Sequence, residues 1–207
     1  RQRQMCIRDS DYILKNCSFK MQSKKKYALV GVNGAGKSTI IKLITGMYND
    51  YSGKILLNGL DIKDYDYTML KGIISVVFQD FCKYETTVKD NIIVGRGFEY
   101  DQNEVNNIID KLELNELNEN LKNGLDTTIG KAIEEGVDLS GGQWQKLAIS
   151  RLLYSDAQIN ILDEPTAALD PIAEGNTYKL FDSVSDEKFV IYITHRLGAI
   201  KMVDEIL

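Results

Sequence analysis

The sequence predicts an α/β fold: a largely parallel sheet covered by helices on both faces, with an antiparallel β part near the N-terminus and an α-helical insertion on one side. Three observations carry this. Short apolar, β-branched runs alternate with segments of helical period, the pattern of parallel strands joined by crossover helices. One early run ends in a glycine-rich turn that opens a helix. A long, more polar helical stretch interrupts the alternation in the middle. The 207 residues suit one domain with an inserted subdomain. Hydrophobic residues at 43% and charged residues at 27% are enough to build a core, which excludes a wholly disordered chain.

The first ten residues, RQRQMCIRDS, have no apolar period and resemble sequencing-adapter read-through, so residues 1–10 are expected to be non-native or disordered. From residue 11 the domain begins. Ile13 to Met21 reads as a strand and Tyr27 to Gly31 as a short buried one. Lys37 to Met47 reads as a helix, because Ile40, Leu43, Ile44 and Met47 repeat at i, i+3, i+4, i+7. Ile55–Leu57 and Ile73–Phe78 are strand-like. The insertion covers about 83–155, helical from about Thr87 to Tyr154. Ile159–Leu162 (strand), Pro171–Val184 (helix) and Phe189–Thr194 (strand) follow, and Asp204–Leu207 reads as the opening of another strand. The domain, 11–207, is therefore expected to be truncated at both ends.

A net charge of −5 argues against nucleic acid as a partner, since a phosphate-binding surface needs a basic excess. The one basic run, Lys24 to Lys26, fits a solvated turn before a strand. Cys6, Cys17 and Cys82 lie far apart without metal-site spacing, which fits a reducing compartment. No apolar run approaches the ~20 residues of a membrane span.

Three motifs carry the chemistry. Gly31-Val32-Asn33-Gly34-Ala35-Gly36-Lys37-Ser38 matches GxxxxGK[ST] between a strand and a helix, a P-loop NTPase pattern. Its glycines let the backbone N–H groups converge on phosphate oxygens, Lys37 reaches the terminal phosphates, and Ser38 can ligate Mg²⁺. Asn33, Gly34, Ala35, Gly36, Lys37, Ser38 and Thr39 are the candidate phosphate-binding residues. Ile159-Asn160-Ile161-Leu162-Asp163-Glu164 is an apolar strand ending in two acids at the carboxyl edge of the sheet, where such folds bind ligands. There Asp163 can hold the metal and Glu164 can polarise water. Asn160, in a strand expected to be buried, needs a hydrogen-bond partner. Leu139-Ser140-Gly141-Gly142-Gln143 opens a helix. Ser140 and Gln143 form a capping box, but two glycines in the first turn cost ~1 kcal/mol each, and capping does not explain them. A phosphate approaching the bare N–H groups does.

With these motifs the chain resembles the ATP-binding-cassette family from about Ile13 to Leu207. The resemblance implies an ATPase and assigns further residues. Gln79, in Val76-Val77-Phe78-Gln79, matches the loop glutamine that touches metal and water. Asp170, in Ala168-Leu169-Asp170, matches the loop that crosses the dimer interface. His195, the chain's single histidine, matches the switch residue on the terminal phosphate. It also implies Mg²⁺ held by Ser38, Gln79 and Asp163. Each nucleotide would be shared with Leu139, Ser140, Gly141, Gly142 and Gln143 of a second nucleotide-binding domain, in a homodimer or heterodimer. Transmembrane domains would lie outside this chain, and the ATPase would sit at the cytoplasmic face of the cell membrane. Thr87-Val88-Lys89-Asp90-Asn91-Ile92 and Gly136-Val137-Asp138 resemble exporters whose membrane and nucleotide domains share one chain, while Val137-Asp138-Leu139-Ser140-Gly141-Gly142-Gln143-Trp144-Gln145-Lys146 and Leu169-Asp170-Pro171-Ile172-Ala173-Glu174 look most like bacterial exporters of peptides or bacteriocins.

One departure concerns the base. The family's adenine-stacking aromatic falls near Cys6, and the spacing of Tyr12, the nearest aromatic, is too short. No NKxD-like guanine-reading motif occurs, so ATP follows from the resemblance. Two other machines share the motifs. A chromosome-maintenance ATPase would show coiled-coil heptads between Gly36 and Leu139, which are absent, and a translation factor would need a second cassette.

Overall fold

A computed structural model describes residues 13–115, 121–131, 133, 136–166, 169, 171–184, 188–194 and 197–207. Along the chain come β1 (Lys26–Leu29), α1 (Lys37–Ile44), β2 (Leu56–Leu57), β3 (Leu60–Asp61), α2 (Tyr67–Ile73), β4 (Ile74–Val77), α3 (Val88–Ile93) and α4 (Gln102–Lys111). Then follow α5 (Gly141–Tyr154), β5 (Ile159–Asp163), α6 (Pro171–Val184), β6 (Phe189–Ile193), α7 (Leu197–Ile200) and β7 (Glu205–Ile206).

The main sheet runs β4-β5-β6-β1-β7, and every pairing in it is parallel. Its side chains alternate between two apolar layers, as period 2 requires. On β6, Ile191 and Ile193 join Leu29, Ile159 and Ile161 on one face, beneath Ile41 of α1 and Leu70 of α2. Val190 and Tyr192 point the other way, with Leu162, and meet Trp144, Leu147 and Leu152 of α5, Tyr178 and Phe181 of α6, and Ala199 of α7. Both faces are covered, as a parallel sheet demands. The insertion is built on the second layer: Ile92 of α3 and Val105, Ile108 and Ile109 of α4 share that cluster with α5. α5 therefore belongs at once to the insertion and to the sheet.

Local chemistry explains the element ends. Asp66, Thr87, Asp101 and Ser140 each accept a backbone N–H at the start of α2, α3, α4 and α5. Asn58 (φ 52°) and Gly59 (φ 86°) make the left-handed two-residue turn of the β2–β3 hairpin. The expected strand at Asp204–Leu207 forms as β7, with Tyr27 opposite Glu205. The basic run behaves as a strand entry: Lys24 turns at φ 60°, and Lys25 pairs with Glu205 at 2.5 Å.

Two expectations fail. The stretch from Thr87 to Tyr154 is not helical throughout: between α4 and α5 the described residues form only a 3-10 turn at Gly124–Asp126 and the isolated bridges Thr87–Thr128 and Ile129–Val137. Ile13 to Met21 forms no strand, and the antiparallel part described is the β2–β3 hairpin alone. The run shows strand composition, but Ile13 (64% exposed) and Phe19 (43%) on one face and Asn16, Ser18 and Lys20 on the other all lie open, so neither face is buried. A strand without a paired neighbour leaves its backbone to water.

Asn160 is 4% exposed within β5, between Ser75 and Val190, and its Oδ1 has no hydrogen-bond partner among the described residues. An unsatisfied buried acceptor costs about 1–3 kcal/mol. Asn160→Leu is expected to raise the unfolding free energy by about that amount, read from the denaturant midpoint at constant slope. A lowered midpoint would mean that Oδ1 is satisfied.

Candidate active site

The glycine-rich turn runs from β1 into α1 at the carboxyl edge of the sheet. Gly34 (φ 83°) and Gly36 (φ 93°) adopt a left-handed backbone that side chains resist. Gly36 is the N-cap of α1, and no side chain caps this helix, in contrast to α2 through α5. Its first intrahelical bond is Ile40 N–H to Gly36 O, at 3.0 Å. The N–H groups of Lys37, Ser38 and Thr39 thus have no acceptor within the helix, which is the arrangement that receives a phosphate. Lys37 Nζ donates to Gly31 O (2.7 Å) and Val32 O (3.0 Å), so the ammonium is folded into the concave side of the turn. Asn33, Gly34 and Ala35 are exposed along the same loop.

The acidic strand arrives beside it. Ser38 Oγ donates to Asp163 Oδ2 at 3.3 Å, joining the start of α1 to the end of β5. Asp163 is 6% exposed, and burial pushes its carboxyl above the usual range; Glu164 adds to this, while Ser38 and Lys37 oppose it. A buried carboxylate next to a hydroxyl supplies hard oxygen donors, and Mg²⁺ fits that set. Among the described residues no cluster of three His, Cys, Asp or Glu could cage a metal.

Glu164 holds a left-handed backbone (φ 48°), with its N–H on Ile193 O at 3.0 Å. Such a conformation costs of order 1–3 kcal/mol in a non-glycine residue. Gln79 is exposed and follows β4 by two residues; Val77 lies opposite Leu162, so it leaves the sheet at the same edge as Asp163 and Glu164. Thr194, the residue before His195, is buried at the end of β6, between β1 and β5. His195 and Asp170 lie outside the described residues, as do Tyr12 and Cys6.

The signature motif lies elsewhere. Its capping box forms: Gln143 N–H donates to Ser140 Oγ at 3.2 Å and Ser140 N–H to Gln143 Oε1 at 2.9 Å. Leu139 is buried, whereas Ser140 and Gly141 are exposed. A Cβ on Gly142 would meet only Leu169 Cδ2, at an ordinary 3.5 Å. Packing within the subunit therefore has room for a side chain that the sequence withholds. α5 packs on one face of the sheet and α1 on the other.

Two polar residues of α5 escaped the sequence reading. Buried Gln145 donates from Nε2 to Pro165 O, directly after Glu164. Arg151 holds the segment beyond Gln79. For Gln145 the sequence carries no signal. For Arg151 the signal is the lone charge in the run Leu147–Tyr154, which is otherwise apolar but for Ser150.

A strand–glycine loop–helix unit beside an acid-tipped parallel strand defines a P-loop nucleotide-binding domain. The chain belongs to the ABC transporter family, whose profile matches residues 14–167. It is 43% identical over 195 residues to the subtilin transport ATP-binding protein SpaT of Bacillus subtilis, covering 94% of this chain and 32% of that protein. It is 40% identical over 194 residues to the ATP-dependent lipid A-core flippase of Vibrio cholerae, covering 94% of this chain and 33% of that one. A solved bacterial Atm1-family ABC exporter with ATP bound superposes with a TM-score of 0.86 at 34% identity, over 94% of this chain and 34% of that one. The chain thus spans about a third of the length of these relatives. No helix among the described residues is long and apolar enough to cross a membrane.

Proposed function

We propose that this chain binds and hydrolyses ATP in a head-to-tail dimer, and that the cycle powers export through transmembrane domains outside it. The observation that carries the reading is the uncapped start of α1 next to the Ser38–Asp163 pair. It is the one helix start of the α1–α5 series with free N–H groups, an ammonium and a metal-binding carboxylate at one point. The N–H groups of Asn33, Gly34 and Gly36 to Thr39, with the Lys37 ammonium, grip the phosphates, while Ala35 N–H closes the loop on Val32 O at 3.2 Å. Mg²⁺, held by Ser38 and Asp163 with Gln79 nearby, would neutralise phosphate charge. Glu164 accepts a proton from the attacking water as its oxygen bonds to the γ-phosphorus and the bond to ADP breaks. His195 hydrogen-bonds the γ-phosphate, and Asp170 lines the dimer interface. Ser140, Gly141 and Gly142 close on the nucleotide of the second nucleotide-binding domain.

The ATPase would lie at the cytoplasmic face of the cell membrane. Similarity to a subtilin transport protein and to NisT of Lactococcus lactis subsp. lactis, a nisin transport ATP-binding protein 38% identical over 197 residues, favours a peptide as cargo. The full-length protein in inverted vesicles tests this with a labelled peptide of that class. ATP should drive its uptake, and Lys37→Ala should cut phosphate release by roughly two orders of magnitude, the scale of losing one preorganised charge donor. Hydrolysis by Lys37→Ala near the wild-type rate would remove the loop from the reaction. ATP hydrolysis without peptide uptake would remove the cargo.

A further inference from the structure

The chain between Gln79 and α3 has no helix or strand of its own, and Cys82, Lys83 and Tyr84 are exposed. Phe81 anchors the segment on the apolar cluster, and across the exposed residues that follow it the contacts of one α5 side chain tie the segment to that helix. Arg151 donates from Nη1 to Cys82 O (2.7 Å) and from Nη2 to Asn91 Oδ1 (2.6 Å), and its guanidinium lies 4.3 Å over the Tyr84 ring. Asn91, fully buried in α3, returns two bonds from Nδ2 to Tyr84 O (2.8 Å) and Thr87 O (3.0 Å). The backbone is close here too: a Cβ on Gly95 would stand 2.1 Å from Arg151 O. Nearer the signature, Lys83 Nζ lies 5.9 Å over the Trp144 ring.

α5 is an uninterrupted helix, so Arg151 sits about 16 Å along the rod from Ser140, at 1.5 Å per residue. One end of the rod carries the signature, and the other grips the segment that follows Gln79. We propose that Arg151 is a positioning residue that clasps the Gln79 loop to the signature helix, so that a shift of the loop on ATP binding moves Ser140 with it. The inference rests on the proposed ATPase cycle and adds the side chain that holds its two motifs together. A guanidinium suits the task because its planar fork reaches two acceptors and stacks at once. Lysine, a point charge, cannot.

The test is a double-mutant cycle on the full-length protein, with kcat and the ATP dissociation constant measured separately. Arg151→Lys should lower kcat about tenfold, the scale of losing one charged hydrogen bond, and leave ATP affinity within about twofold. In a Gln79→Ala background the same change should cost less than about twofold, because Arg151 acts through Gln79. Tyr84→Ala, at a side chain 46% exposed, should show the same non-additivity with a smaller loss of about threefold. That variant decides the question if Arg151→Lys does not fold. Equal losses in both backgrounds, or no loss in the first, would overturn the clasp while leaving the ATPase reading intact. A wild-type protein that releases no phosphate would instead overturn the ATPase reading.

Discussion

Glu164→Gln is expected to retain ATP binding, to lower phosphate release by about 10²–10⁴, and to accumulate an ATP-bound dimer. The expectation comes from where the backbone puts this residue. Glu164 follows Asp163, the proposed metal ligand, and takes a left-handed turn at φ 48°, fixed by its N–H on Ile193 O at 3.0 Å. Strain of this kind persists where the surroundings hold a side chain for use. Glutamine keeps the length, the backbone demand and the polar tip, and removes only the capacity to take a proton. Nucleotide affinity and turnover should therefore separate. Hydrolysis within about threefold of wild type, short of the general-base range, would show that another group accepts the proton.

Lys37→Ala and Ser140→Arg, each inactive alone, are expected to restore activity when paired in a mixed dimer. The glycine loop starts a helix on one face of the sheet, and the signature starts a helix on the other. One nucleotide is not readily gripped by both within one subunit. The exposed Ser140 and Gly141, and the unused room at Gly142, leave the signature open at the surface, where the proposed second subunit would meet it. In a head-to-tail arrangement one site of the mixed dimer carries both lesions and the other carries neither. Full-length subunits with different tags, purified through both, should recover at most about half of the wild-type phosphate release. A mixed dimer that stays inactive could mean that both sites must work, so crosslinking decides. Cysteines placed in the loop and the signature should join two chains in the presence of ATP. A bond closed within one chain would end the shared-site reading.

Much of this molecule is legible in its sequence because the relevant signals are local. The helix Pro171–Val184 and the strands of the sheet follow from apolar period and β-branched runs. The glycine loop, the acidic strand end and the capping box at Ser140 follow from backbone chemistry within a few residues, and the family follows from their order. Ile13–Met21 marks the limit of that logic: strand composition does not supply a partner strand. What pairs and packs over long separations was decided by the tertiary structure. The order β4-β5-β6-β1-β7 brings Ser38 to Asp163 across 125 residues of chain. Period shows that α1 and α5 each have an apolar face, but not that those faces cover opposite sides of one sheet, which depends on how the crossovers wind. Nor does it show the left-handed turn at Glu164, set by a bond to β6, or the reach of Arg151 to Cys82. A residue's type states which bonds it can make, and only the folded chain determines which partners come within reach.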